Sequence, residues 1–128
     1  MRAARITPVT GRRAVRDRQA RERTAASPLR ARYPTLISLQ LGFEFSDSSE
    51  FLPSPQVTVF HPPARAYFRF VCPYGDCDGE FDLADPIATM LNARESRAHG
   101  QLHCAGTRHG GVSCTLHLDY SLLAQCSS

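Results

Sequence analysis

From Ile37 onward apolar and polar residues alternate. Ile37, Leu39, Leu41, Phe43 and Phe45 fall on one side, with Ser38, Gln40, Gly42 and Glu44 between them. A period of two sustained from 37 to 45 predicts a strand with one buried face. Polar residues 46–50 and the prolines at 53 and 55 then predict a loop. Residues 56–60 read as a short strand closed by His61-Pro62-Pro63. Residues 64–72 predict a longer one, with Ala66, Phe68, Phe70 and Cys72 on one face and Tyr67, Arg69 and Val71 on the other. A further short strand is expected around residues 81–83.

The pattern then changes. Asp85 suits a helix N-cap, Pro86 the first helical position and Gly100 the residue just past the end. A helix between them would turn Ile87, Met90, Leu91 and the stem of Arg94 inward. It would also set Arg94, Arg97 and His99 toward its C-terminus, where cations complement the dipole. Residues 102–104 and 112–123 read as the arms of a hairpin whose loop holds Gly106, Gly110 and Gly111. In the second arm Val112, Cys114, Leu116, Leu118, Tyr120 and Leu122 share a face. The order predicts a small α+β fold: a mainly antiparallel β-sheet with one helix.

Charge divides the chain. All 15 basic residues are arginine, a bias that reads as a property of the coding sequence. Residues 1–32 carry ten arginines against Asp17 and Glu22, a balance of +8, whereas residues 33–128 carry five against ten acids, a balance of −5. No apolar period persists in the first segment, so residues 1–32 are expected to form a disordered Arg-rich tail and 33–128 the folded domain. Such a tail has three readings: an inert or misassigned extension, a transit peptide, or an arm for nucleic acid. No run of roughly 18 apolar residues exists to cross a membrane, and no apolar segment follows the basic start as in a secretory signal. A cytoplasmic location is therefore expected.

Five cysteines lie in the acidic part: Cys72, Cys77, Cys104, Cys114 and Cys126. An odd number without an export signal favours metal binding or free thiols over a disulfide framework. Cys72-Pro-Tyr-Gly-Asp-Cys77 joins a strand end to a Pro/Gly turn, which can point two sulfurs to one side; Gly75 and Gly79 would allow positive φ there. Cys104 and Cys114 sit at the two arms of the hairpin. Four sulfurs from two turns are how structural zinc is commonly held. Alternatives are a histidine in place of one sulfur (His109, within the second turn, or His103), two disulfides, or buried thiols.

Phe70 to Gly79, with its Phe-x-Cys-Pro-x-x-x-Cys-x-Gly pattern, the helix after it and the second cysteine hairpin together resemble zinc-ribbon and treble-clef modules. They are also similar to small uncharacterised bacterial proteins that carry such a turn. The spacings here, four residues and nine, are wider than the two of the usual ribbon turn. The resemblance implies zinc bound for structure by Cys72, Cys77, Cys104 and Cys114, with no catalytic activity.

Neither a phosphate-cradling glycine loop nor a nucleophile elbow nor a H-E-x-x-H helix is present. The acids Asp76, Asp78, Glu80, Asp82 and Asp85 do not fall in the register of a calcium loop. They read as an acidic rim able to dock a basic surface. Arg69 beside Tyr67 is the one expected aromatic–cation pair on an outward face. The expected function is a non-enzymatic zinc module with a protein partner. The alternative is a nucleic-acid-associated protein that uses the N-terminal arginines.

Overall fold

The computed structural model of the chain describes residues 8–47 and 54–127. In order these form α1 (Pro8–Ala25), α2 (Leu29–Arg32), β1 (Leu36–Ser46), β2 (Gln56–Phe60), β3 (Arg69–Val71), β4 (Glu80–Asp82), α3 (Ala84–Asn92), β5 (Arg97–His103), β6 (Thr107–Arg108), β7 (Val112–Ser113) and β8 (His117–Cys126). Much of the expected loop between the first two strands, and the first seven residues, lie outside the described residues.

The main sheet is antiparallel, ordered β2-β1-β8-β5, and two small ladders, β3-β4 and β6-β7, stand beside it. The fold is thus α+β, as the alternation indicated. The long β1–β8 pairing runs from Ser38 opposite Gln125 to Ser46 opposite His117. That register sends Leu39, Leu41 and Phe43 of β1 and Leu118, Leu122 and Ala124 of β8 to the same face. They share one buried cluster with Ile87 and Met90 of α3, Leu29 of α2, and Phe68, Phe81 and Leu83. Burying a Leu- or Phe-sized side chain contributes about 1.5–3 kcal/mol, so this cluster is the main source of stability.

Several expectations are corrected. Ile37 is 44% exposed and Leu36 only 4%. The register shifts between Leu36 and Ser38, and such a bulge reverses the side-chain faces on either side of it. The helix ends at Asn92 rather than near residue 99. Arg94 takes a left-handed φ of 58°, which stops the helix, and residues 97–103 continue as β5. Gly100 therefore lies in a strand opposite Tyr120. A Cβ at Gly100 would lie 2.7 Å from Cζ of the Tyr120 ring, so the glycine makes room for that ring across the strands. Of residues 64–72 only Arg69–Val71 joins a ladder. Val112 is 61% exposed because it lies in β7, outside the main sheet.

The largest correction concerns the N-terminus. Residues 8–25 and 29–32 are helical, where a disordered tail was expected. Alanine, arginine, glutamine and glutamate are good helix formers and proline fits a first turn, yet the segment has no apolar stripe to reveal it. Leu29 is fully buried. Its N–H donates to the Ala64 carbonyl at 2.8 Å, and the Ala66 N–H donates to the Ser27 carbonyl at 2.7 Å. The segment after α1 is thus stitched to the chain after β2.

Candidate metal centre

Cys72 follows β3 directly and Cys77 closes the turn after it. Cys104 follows β5, and Cys114 follows β7. Both turns are built alike. In the first, the Gly79 N–H donates to Cys77 Sγ at 3.3 Å and the Gly79 carbonyl accepts from the Cys72 N–H at 3.0 Å. In the second, the Gly106 N–H donates to Cys104 Sγ at 3.4 Å and the Gly106 carbonyl accepts from the Cys114 N–H at 2.9 Å. A Cys-x-Gly unit is therefore used twice, with a second cysteine hydrogen-bonded to its glycine each time.

The two units face each other. A Cβ on Gly106 would fall 2.7 Å from Cys77 Sγ, and one on Gly79 would overlap Cys104 Sγ. Neither glycine is among the positive-φ residues, which among the described residues are Gly110, Gly111 and Arg94. Gly79 is needed for close approach, and the expected positive φ at Gly75 and Gly79 is not found. The repeated Cys-x-Gly was visible in the sequence and marks what that reading missed.

All four cysteines are buried, and their sulfurs lie within 4.8 Å of one another. Cys72 Sγ is 3.9 Å from Cys114 Sγ, and Cys77 Sγ is 3.6 Å from Cys104 Sγ. These separations are far beyond an S–S bond of about 2.05 Å. They are close to the edge of about 3.8 Å of a tetrahedron with metal–sulfur bonds of about 2.3 Å. The four residues expected to converge do so. His109 and His103 are not part of the cluster. The His109 N–H donates to Asp76 at 3.1 Å, and His103 packs against His117 with ring centroids 4.1 Å apart. Cys126 is exposed at the end of β8.

The thiols respond to this crowding. Hydrogen bonding from Cys72, and then from its other neighbours, pulls Cys104 down to about 6. Burial pushes Cys77 up to about 12 and Cys114 upward. Cys72 moves upward as the donor to Cys104, with burial adding to it. One sulfur therefore holds negative charge readily, while three keep their protons unless a cation compensates them. A buried set of four sulfurs is the chemistry that soft or borderline cations satisfy.

Positive charge also comes from α1. Arg12 Nη1 donates to the Tyr74 carbonyl at 2.9 Å and the Cys77 carbonyl at 3.4 Å, and it also bonds the Cys72 carbonyl. One guanidinium thus caps the whole first cysteine turn. The Arg108 guanidinium lies 4.0 Å from the Tyr74 ring centroid and bonds Asp76 at 3.0 Å. Asp78 accepts from the Thr107 N–H at 2.7 Å. Asp47 links the turns as well, accepting from Tyr74 at 2.7 Å and Thr115 at 2.8 Å.

Three acids of the rim, Asp76, Glu80 and Asp82, are thus occupied by this chain's own arginines. Glu80 takes Arg18 and, at 2.8 Å, Gln19 of α1. Asp82 takes Arg69 at 2.9 Å. Tyr67 donates to Glu22 at 2.6 Å, and the cation over its ring is Arg23, 5.1 Å from the centroid, in place of the expected Arg69. Among the described residues no helix is long and apolar enough to cross a membrane. Comparison with known proteins returned no matching family, no matching curated protein and no matching solved structure.

Proposed function

We propose that this is a small, non-enzymatic zinc-binding module in which Cys72, Cys77, Cys104 and Cys114 hold one ion for structure. The observation that carries the reading is the convergence of four buried sulfurs from two like-built turns. Zinc suits a tetrahedral all-sulfur shell, and four protein ligands leave no position for the water a hydrolase would activate. Two turns that each supply two sulfurs are the feature that resembles zinc-ribbon-like modules, and thiolate ligation suits a reducing compartment such as the cytoplasm.

A protein partner fits the free edge of the main sheet. β2 is one of its two edge strands among the described residues, with Val57 65% and Val59 48% exposed. An open edge with apolar side chains favours strand addition. A second reading, association with nucleic acid, is favoured by Arg13, Arg21, Arg30 and Arg32, which are exposed on α1 and α2 and unpaired with acids among the described residues.

Metal analysis with a thiol count tests the primary reading. One zinc per chain is expected, with Cys126 the single thiol that reacts freely. Cys72→Ser should lower zinc content and melting temperature together. Absence of metal, or four freely reacting buried thiols in the native protein, would refute it. The second reading predicts binding to single-stranded DNA that falls steeply with salt and is lost when the four exposed arginines become glutamine.

A further inference from the structure

α1 does more than cap the cysteine turn. With β3 and the middle of β1 it encloses a cleft of about 400 Å³, within the size range of small-ligand sites. Three arginines line it, Arg16, Arg23 and Arg69, together with three phenylalanines, Phe43, Phe45 and Phe70. No acidic residue is among the lining residues. Arg69 is ion-paired to Asp82 and Glu22. Arg16 and Arg23 have no carboxylate partner among the described residues. Gln19, buried in α1, and Gln56, at the start of β2, add amide groups to the wall.

We propose that this cleft binds a nucleoside phosphate. The argument is one of complementarity. Two un-neutralised guanidiniums beside a third call for an anion with several oxygens. A terminal phosphate offers three oxygens to the forked donors of several arginines at once, where a carboxylate offers two. Phe43 is buried edge-on against Phe70, and the exposed parts of the half-buried Phe45 and Phe70 can take up a planar ring by stacking or edge contact. A nucleoside phosphate carries both halves at the required closeness, and the Gln56 amide offers donors and an acceptor to a base or sugar edge. The site is separate from the cysteine cluster and adds a ligand to the module proposed above.

Calorimetry on the zinc-loaded full chain tests this with adenosine monophosphate, adenosine and inorganic phosphate as probes. The monophosphate should bind at least about tenfold more tightly than either half alone. Arg16→Ala should weaken it by about tenfold, because a charge-assisted contact to phosphate is lost. That residue is exposed and unpaired, so the fold is not at stake. Arg21→Ala, on the opposite side of α1 from Gln19, should change it by less than about twofold, as a distant exposed charge does. The proposal is overturned if the monophosphate does not bind, if inorganic phosphate binds as tightly, or if the two variants lose equally. Zinc content is read on the same samples. Full metal without nucleotide binding counts against the cleft alone, and nucleotide binding without metal counts against the cysteine reading alone.

Discussion

At the scale of single residues, the four-sulfur cluster depends on what Gly79 and Gly106 lack. Each presents a bare Cα to the opposing Cys-x-Gly unit, and each sends an N–H to the sulfur two residues before it. These bonds delocalise thiolate charge that a buried site otherwise concentrates. Gly106→Ala places a methyl group against Cys77 Sγ and the Gly79 backbone, where neither neighbour can move without displacing a sulfur. It should cost roughly 1–3 kcal/mol, as overpacking does, and lower zinc occupancy, measured by thermal melts and metal analysis. Gly75→Ala meets nothing within 4 Å and should keep its zinc and its melting temperature. Cys126→Ser should likewise change neither quantity, because that thiol is exposed and far in function from the cluster. The cysteines were legible from type and spacing alone. The requirement for glycine was legible only as a turn signal, because close approach is a property of two segments and no single segment records it.

At the scale of elements, α1 shows how a helix can be held by polar contacts. Gln19 is its buried side chain, and its anchors are Arg12 on the cysteine turn, Arg18 and Gln19 on Glu80, and Glu22 on Tyr67. Arg12→Ala should leave the metal in place and loosen the first turns of α1. Hydrogen bonds to a charged group contribute about 1.5–3 kcal/mol, and faster amide exchange at residues 11–16 with unchanged zinc content would be the signature. Acid should act on the other end. Donation from Tyr67, followed by Arg18 and Arg69, holds the Glu22 carboxyl below its ordinary value of 4.5. A carboxyl lowered on folding stabilises the native state above its unfolded pKa, and that contribution is lost as pH falls through the depressed native value. Melting temperature should therefore drop more steeply below about pH 4.5 in the parent than in Glu22→Gln, whose neutral amide has no proton to gain. Tyr67, pushed up to about 12 by burial and by its bond to Glu22, stays protonated throughout. No apolar period marks α1, which is why the sequence reads as a tail. Its partners are the carbonyls of the cysteine turn, Glu80 and Tyr67, 45 to 65 residues away, and charge along one segment says nothing about which distant groups will meet it.

At the scale of the whole molecule, the cysteine cluster and α1 form one mechanical unit, since Arg12 grips the carbonyls of the turn that the proposed ion would hold. Structural zinc contributes binding free energy on the order of 10–16 kcal/mol, comparable to the entire stability of a small domain. Chelation should thus do more than lower the melting temperature. It should release α1, exposing its arginines to trypsin before Arg97 in β5 is cut, whereas in the zinc-loaded protein both should resist. Equal resistance with and without metal would show that α1 is anchored independently. The sequence by itself determined the α+β class, the position of β1 and β2, the inward face of β8 from Leu118 to Leu122 and the identity of the four cysteines. These follow from period, turn chemistry and residue type, all of which act over a few neighbouring residues. Only the tertiary structure decided that residues 8–25 and 29–32 are helical and docked, that a bulge turns Ile37 outward, that β5 replaces the end of the expected helix, and that Asp76, Glu80 and Asp82 of the acidic rim face the chain's own arginines. Each of those outcomes is set by contacts between segments far apart along the chain, and their free energies are absent from any local window.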